Sequence, residues 1–367
     1  MLTHSSYALA LVILAQVAPA ETKSKPLRSP SEVRKAFLTM LDRPKVPLDL
    51  KVERSETSPD GFTTERLSFA SENRADGQVE RVPVLVVRPP ASKEPLPAVI
   101  VLHGTGGDKE KMKSWLVELA ERGIIGVAID ARYHGERAGG SVGADAYNKA
   151  ITRAWRSKPG APQEHPFYYD TCWDVWRTLD YLETRADVDA KRFGMIGISM
   201  GGIETWLAAA VDERVAVAVP AIAVQSFRWS LQNEQWQGRA RSIGAAHQAA
   251  AKDLGEADVN ARVCRALWNK VIPGILSDFD CPSMLRLFAG RPLLILNGDR
   301  DPNCPIGGAR LAFSAAEAAY QAEGASDHLR ILVAEGVAHA VTPDQHQAAL
   351  DWFTRWLAST KPKDKQP

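Results

Sequence analysis

Three residues of this 367-residue chain have the types and spacing to pass a proton to and from a nucleophile: Ser199, Asp301 and His339. Ser199 stands in Gly197-Ile198-Ser199-Met200-Gly201, a G-x-S-x-G pattern with an apolar run before it and a helical stretch after it. A chain that reverses sharply there lifts the hydroxyl above a sheet and leaves little room for Cβ atoms two residues to either side. A hydroxyl attacks a carbonyl only when a base takes its proton, and the base needs an acid to orient it. The bland alternative for the motif alone is a glycine-rich turn whose serine caps a helix.

The partners follow in chain order. LLILNGDRDPNC (293–304) reads as a strand followed by Gly298 and two acids, and His339 lies in VAEGVAHAVTP, directly after the last apolar run. Asp301 is the favoured acid because it sits deeper in its loop. Asp299, the alternative, is placed to bind backbone N–H groups of the turn. Among the other imidazoles, His103 and His134 also follow strands, and His103 is expected near the crevice as a substrate contact. His103-Gly104-Thr105-Gly106-Gly107 follows the run PAVIVL, and its glycines let backbone approach a ligand closely. An oxyanion wants two N–H donors. Met200 supplies one and Thr105 is the best candidate for the other, with Gly106 next. The spacing is not that of a dinucleotide loop.

Elements must bring these residues to one place. From residue 96 onward, apolar runs at 98–102, 124–129, 193–198, 215–219, 293–296 and 329–333 lack clean alternation, as strands buried on both faces should. Helical stretches at 109–122, 172–185, 202–210, 307–323 and 343–357 separate or follow them. Residues 63–71 and 79–88 read as a strand pair, with Pro83 arguing for a bulge or an edge. The expectation is an α/β fold with a mostly parallel eight-stranded sheet flanked by helices. In such a sheet the carboxyl ends of the strands share one crevice.

Two stretches break the rhythm. Residues 221–291 hold Trp229, Trp236 and Trp268 and no convincing strand, so a helical cap is expected after the sixth strand. Residues 133–167, rich in Gly and Pro, are expected as long loops. Trp229 and Trp236 are candidate substrate contacts, with Trp268, Tyr147 and Trp155 as further aromatic walls for a sugar or phenolic ester. The alternative is that they pack the cap onto the core.

Lys and Arg total 45 against 44 for Asp and Glu, a formal charge of +1, and no basic excess points to nucleic acid. Residues 1–20 contain no charged side chain and hold an apolar run at 7–15, followed by Ala18-Pro19-Ala20. That pattern reads as a cleaved export signal, too short to span a bilayer, so a periplasmic or secreted location is expected, with no membrane partner. A lead-in at 21–62 contains a short helix at 31–41, the hydrolytic domain covers 63–360, and 361–367 form a polar tail. Cys172, Cys264, Cys281 and Cys304 match no zinc spacing. A bridge between Cys264 and Cys281 is the first expectation if any forms, and buried thiols are the alternative.

HGTGG, DARYHGER (130–137), GISMGG, NGDRDP and EGVAH together resemble the α/β-hydrolase superfamily over residues 79–357. Within it, WDVWRTLDYLETR followed by DVDAKRFGMIGISMGG is similar to the dienelactone-hydrolase-like, acetylxylan-esterase-like and prolyl-oligopeptidase-like group. The resemblance implies Ser199 as nucleophile, Asp301 as acid, His339 as base and a cap after the sixth strand. Dienelactone hydrolases carry Cys where this chain has Ser199, and prolyl oligopeptidases carry a propeller for which too few residues precede Val79. The expected activity is therefore hydrolysis of carboxylic esters through an acyl-enzyme, on small molecules or on acetyl or feruloyl esters of carbohydrates. Neither metal nor organic cofactor is called for. A peptidase or amidase, and a hydrolase fold that serves only as a binding module, are the alternatives.

Overall fold

Runs of Val, Ile, Leu and Ala without polar interruption become strands covered on both faces. In the protein, a computed structural model that describes residues 28–161 and 164–358, such segments form the centre of one nine-stranded sheet. Its strands are β1 (Lys51–Thr57), β2 (Thr63–Asn73), β3 (Val79–Arg88), β4 (Leu96–Leu102), β5 (Ile125–Ile129), β6 (Val188–Ile198), β7 (Val215–Ala221), β8 (Leu293–Gly298) and β9 (Leu329–Ala334). Their order across the sheet is β1-β2-β3-β5-β4-β6-β7-β8-β9. β1, β2, β3 and β5 pair antiparallel in turn, and every pairing from β5 through β4 to β9 is parallel.

The eight expected strands are all present, and β1 is the ninth. Its sequence, KVERSET, is exposed throughout. No apolar run announces it, because it gains its place from antiparallel hydrogen bonds to β2 rather than from burial. Pro83 is neither at a bulge nor on an edge strand. Its carbonyl accepts from Asp130 N at 3.2 Å. Its nitrogen faces the same side, and the β3–β5 ladder begins only at Val84, so the missing N–H interrupts no pairing there.

Helices cover both faces: α1 (Pro30–Leu41), α2 (Lys113–Glu121), α3 (Asp145–Arg156), α4 (Tyr169–Glu183), α5 (Met200–Val211), α6 (Phe227–Gln232), α7 (Gln237–Ser242), α8 (Gly244–Asp253), α9 (Ala261–Val271), α10 (Cys281–Leu285), α11 (Ile306–Ala322) and α12 (Pro343–Leu357). A capping box between Ser29 and Glu32 starts α1. Along β4 the period of two decides which core layer each residue joins. Ala98, Ile100 and Leu102 pack in the layer of α1, α4, α5 and the cap, whereas Val99 and Val101 pack in the layer of α2 and α12. No helix among the described residues is long and apolar enough to cross a membrane.

The insertion between β7 and β8 is helical, as expected, and contributes α6 to α10. Residues 133–167 are not merely loops. Between their Gly and Pro clusters lies α3, which packs on α8 and α9, tied there by Arg156 to Asp253 at 2.7 Å and Lys270 to the Ser157 carbonyl at 2.9 Å. Two insertions thus build one cap. All four cysteines are free and buried, so the expected Cys264–Cys281 bridge is absent. Cys172, Cys264 and Cys281 sit in a packed apolar layer instead, and Cys304 is buried against the Ile222 carbonyl.

β4 leads to β5 on one side, and the next parallel strand, β6, pairs on its other side. The carboxyl ends of β4 and β6 therefore flank the point where the winding reverses, which is where open α/β sheets bind ligands. The loops after β4, β6, β8 and β9 are the ones that carry the candidate residues. Residues 1–20, read above as an export signal, and the tail at 361–367 lie outside the described residues.

Candidate active site

Ser199 stands between β6 and α5 with φ 56° and ψ −108°. A positive φ is costly for a residue with a Cβ, and here the neighbours enforce it. A Cβ on Gly197 would lie 2.1 Å from the Gly201 carbonyl group, and one on Gly201 would lie 2.4 Å from the Leu102 carbonyl oxygen. The reversal therefore requires glycine at both positions, the physical content of the motif. Ser199 N donates to Ala221 O at 2.9 Å and Gly201 N to His103 O at 3.1 Å. These two bonds tie the elbow to β7 and to the loop after β4.

Three chain segments meet at this hydroxyl. Ser199 Oγ is 2.7 Å from His339 Nε2, and His339 Nδ1 is 2.7 Å from Asp301 Oδ2. Asp301 is 3% exposed, and its other oxygen accepts from the N–H groups of Asn303 (2.7 Å) and Cys304 (3.1 Å). An ionised carboxylate can only accept, so the Nδ1 facing it carries the proton and Nε2 offers its lone pair to the serine hydroxyl. The donor–acceptor chain is thus polarised from the buried acid to the half-exposed serine. Asp299 has a different position: its Oδ1 accepts from Gly336 N at 2.7 Å, bracing the loop that leads to His339.

Met200 opens α5 beside Ser199, where the amides of a helix's first turn have no intrahelical partner. Gly104 passes close enough that a Cβ on it would lie 3.6 Å from Ser199 Cβ. Thr105 follows on the same half-buried loop. The two expected oxyanion donors therefore lie on the two backbone segments that flank the hydroxyl.

His103 is not a substrate contact. It is buried, with Nδ1 at 2.8 Å from the Gly104 carbonyl and Nε2 accepting from Ala131 N at 3.1 Å. Burial pushes its pKa down, and the neutral ring cross-links the loops after β4 and β5. Its neighbour His134 is pushed down to about 3 by burial first and by His103 second. The loop that carries His134 is anchored underneath by Asp174 of α4, which accepts from Arg132 Nε at 2.8 Å and pairs with Arg137 at 2.9 Å. Burial alone would raise the Asp174 carboxyl, but the two guanidinium groups hold it well below the usual range.

Most of the aromatic side chains expected around the opening are packed into the protein. Trp268 is buried and donates to His247 Nε2 at 3.0 Å, and Tyr147 is buried in the cap. Trp236 is buried and bonded to Glu234 at 3.0 Å, while Trp155 binds Asp253 at 3.1 Å. Trp229 is half-buried and lays its ring over Gly307, where a Cβ would come within 2.3 Å of it. Apolar area is better used between cap and core than on an open surface, and the sequence pattern of the cap did not distinguish the two.

Among the described residues one grouping has metal-ligating types: Asp301, Cys304 and His339, whose ligand atoms lie within 4.8 Å of one another. Asp301 Oδ2 and His339 Nδ1 are engaged with each other. The Cys304 thiol donates to Ile222 O at 3.1 Å, and burial pushes its pKa up. The three are joined as a hydrogen-bonded cluster.

Sequence reasoning passed over Gln225, Gly238 and Arg239, which touch the turn after Asp301. The only signal for them was a Gly-Arg pair inside an otherwise helical insertion, and its meaning depends on how the cap folds back.

The family model for acetyl xylan esterases (AXE1) matches residues 36–228. Among known proteins, YtaP of Bacillus subtilis (strain 168), named as a hydrolase, is 25% identical over 291 residues, 76% of this chain and 84% of that protein. The 4-O-methyl-glucuronoyl methylesterase of Hypocrea jecorina (strain QM6a) is 28% identical over 190 residues, 50% of this chain and 39% of that one. Acetyl xylan esterase 1 from Thermoanaerobacterium sp. JW/SL YS485 superposes with a TM-score of 0.64 at 17% identity, covering 90% of this chain and 94% of its own. A glucuronoyl esterase from Solibacter usitatus gives 0.60 at 17% identity over 89% and 92%. At such identities these two structures are alike in fold.

Proposed function

The chain belongs to the acetyl xylan esterase family, and from that premise we propose that it deacylates carbohydrate esters, acetyl esters foremost, through an acyl-enzyme on Ser199. It is a carboxylic ester hydrolase of the α/β-hydrolase class. In the proposed cycle His339 Nε2 takes the Ser199 proton as Oγ attacks the ester carbonyl, and Asp301 steadies the imidazolium that forms. The N–H groups of Met200 and Thr105 receive the oxyanion. His339 then returns the proton to the departing sugar hydroxyl. Water, deprotonated by the same imidazole, releases the acid and restores the serine.

The observation that supports this assignment is the unbroken pair of 2.7 Å contacts from Ser199 through His339 to Asp301. The names of the relatives favour acyl or methyl esters on sugars as the substrate class. Acetylated xylan, methyl ferulate, p-nitrophenyl acetate and aminoacyl naphthylamides, assayed side by side, test it. Acetate release from xylan and turnover of p-nitrophenyl acetate are expected, with Ser199→Ala slower by about 10⁴–10⁶ in kcat. Turnover confined to the naphthylamides, or a fully active Ser199→Ala, would contradict the proposal.

We also propose that residues 1–20 are removed on export. N-terminal sequencing of protein recovered from outside the cytoplasm should then begin at Glu21, and a first residue of Met1 in that fraction would rule this out.

A further inference from the structure

Arg239 lies on α7 and is 2% exposed. A guanidinium stays charged in any protein environment, so enclosing one demands compensation. Here the hydrogen-bond partners are neutral: the Tyr168 hydroxyl at 3.4 Å, the Asn303 carbonyl at 3.2 Å and the Cys304 sulfur at 3.3 Å. The Gln225 amide, oriented to suit the donors around it, accepts from Arg239 Nε at 3.0 Å and Nη2 at 3.1 Å, and donates to Asn303 O at 2.7 Å. The carboxylate that balances the charge lies one step further on. Asn303 and Cys304, which receive Arg239, are the residues whose N–H groups hold Asp301 Oδ1. The preceding cap residue lays its backbone against the same turn, for a Cβ on Gly238 would fall 2.0 Å from Pro302 O. Two consecutive cap residues therefore clamp the turn that carries the acid.

We propose that Arg239 is a positioning residue: it fixes the 302–304 turn against Asp301 and sets one enclosed positive charge beside the Asp301–His339 pair. The inference rests on the proposed roles of Ser199, Asp301 and His339 and adds that the cap takes part in supporting them. The ionisable groups that face Arg239 are Asp301 and Cys304 on the loop after β8 and Tyr168 ahead of α4, with Glu204 of α5 facing Tyr168. A fixed cation beside the pair opposes a second positive charge on the imidazole. Removing it makes the charged ring easier to form, so the acid limb of kcat/KM moves to higher pH.

The test compares Arg239→Gln, Arg239→Lys and Ser199→Ala in the full chain, reading thermal midpoint, kcat, KM and the pH profile of p-nitrophenyl acetate hydrolysis. Arg239→Gln is expected to lose about 10- to 100-fold in kcat with little change in KM, and to move the acid limb up by about one pH unit. Arg239→Lys keeps the charge but not the planar fork, so its limb should stay within about 0.3 of wild type while kcat falls several-fold. A folded Arg239→Gln with the wild-type limb overturns the inference. If Arg239→Gln does not fold, Arg239→Lys decides: a reduced kcat with an unmoved limb supports it, and a displaced limb or an unchanged kcat overturns it. Ser199→Ala separates the levels, because activity persisting there would sink the triad assignment itself.

Discussion

Alanine at position 201 would carry its methyl to 2.4 Å from the Leu102 carbonyl oxygen and 2.7 Å from that of His103. Contacts between real Cβ atoms and their neighbours become ordinary only at about 3.4 Å, so the two backbones must part by about 1 Å. Both obstructing groups are main chain, and no rotamer change relieves them. The 3.1 Å bond from Gly201 N to His103 O stretches as they separate. Strain of this kind costs roughly 1–3 kcal/mol in a packed core. The segment displaced is the end of β4 and the start of the His103–Gly107 loop, on which the proposed oxyanion donor rides. Misplacement by about 1 Å costs on the order of 100-fold in rate. Gly201→Ala is therefore expected to fold, to melt a few degrees lower, and to turn over p-nitrophenyl acetate about 100-fold more slowly. The readouts are kcat at saturating substrate and a thermal melt. Wild-type kcat with a wild-type melt would refute the argument that glycine is sterically required there.

Three further expectations follow from the site and its supports. Asp301→Asn should lower kcat by about 10⁴ while Asp299→Asn lowers it less than about 10-fold; the reverse order would transfer the acid's role to Asp299. Asp174→Ala takes a buried carboxylate from Arg132 and Arg137 but leaves them Glu72 at 2.5 Å and Glu80 at 2.6 Å, so urea unfolding should show a loss of about 2–3 kcal/mol, and a loss under about 0.5 kcal/mol would argue that the pairs with Asp174 add nothing. Burial pushes His247 down to about 4, and its neutral ring accepts from Trp268 Nε1. Its unfolded value is near 6.5, so its contribution is complete above about pH 6.5 and is lost as pH falls towards 4. Over that window His247→Gln should lose about 3 kcal/mol less stability than the parent, and parallel pH–stability curves for the two would contradict this.

The parts of this protein that were legible in its sequence are those where function or burial restricts residue type. The elbow at Ser199 could be read because only glycine fits at 197 and 201, and the core strands because β4 to β8 must be apolar on both faces. The helix boundaries came out close, since Ser29 and Thr342 begin α1 and α12 with capping boxes. β1 escaped because an exposed edge strand needs no apolar face. α3 escaped because glycines and prolines around it outweighed its own helical pattern. The cap was recognised as helical, but the direction of its side chains was not, so Trp229 and Trp236 were expected at the opening and Arg239 went unnoticed. Which face of a short helix meets the core depends on packing across many residues, and local spacing in α6 and α7 is too brief to specify it. The Cys264–Cys281 pairing was a matter of proximity along the chain, which does not fix proximity in space.

The central claim is that Ser199 is an activated nucleophile, and covalent labelling measures that directly. A fluorophosphonate probe, followed by peptide mapping, should place one adduct per chain on Ser199, none on Ser199→Ala, and should label His339→Ala far more slowly. An adduct on another residue, or His339→Ala labelling as fast as the parent, would contradict the account.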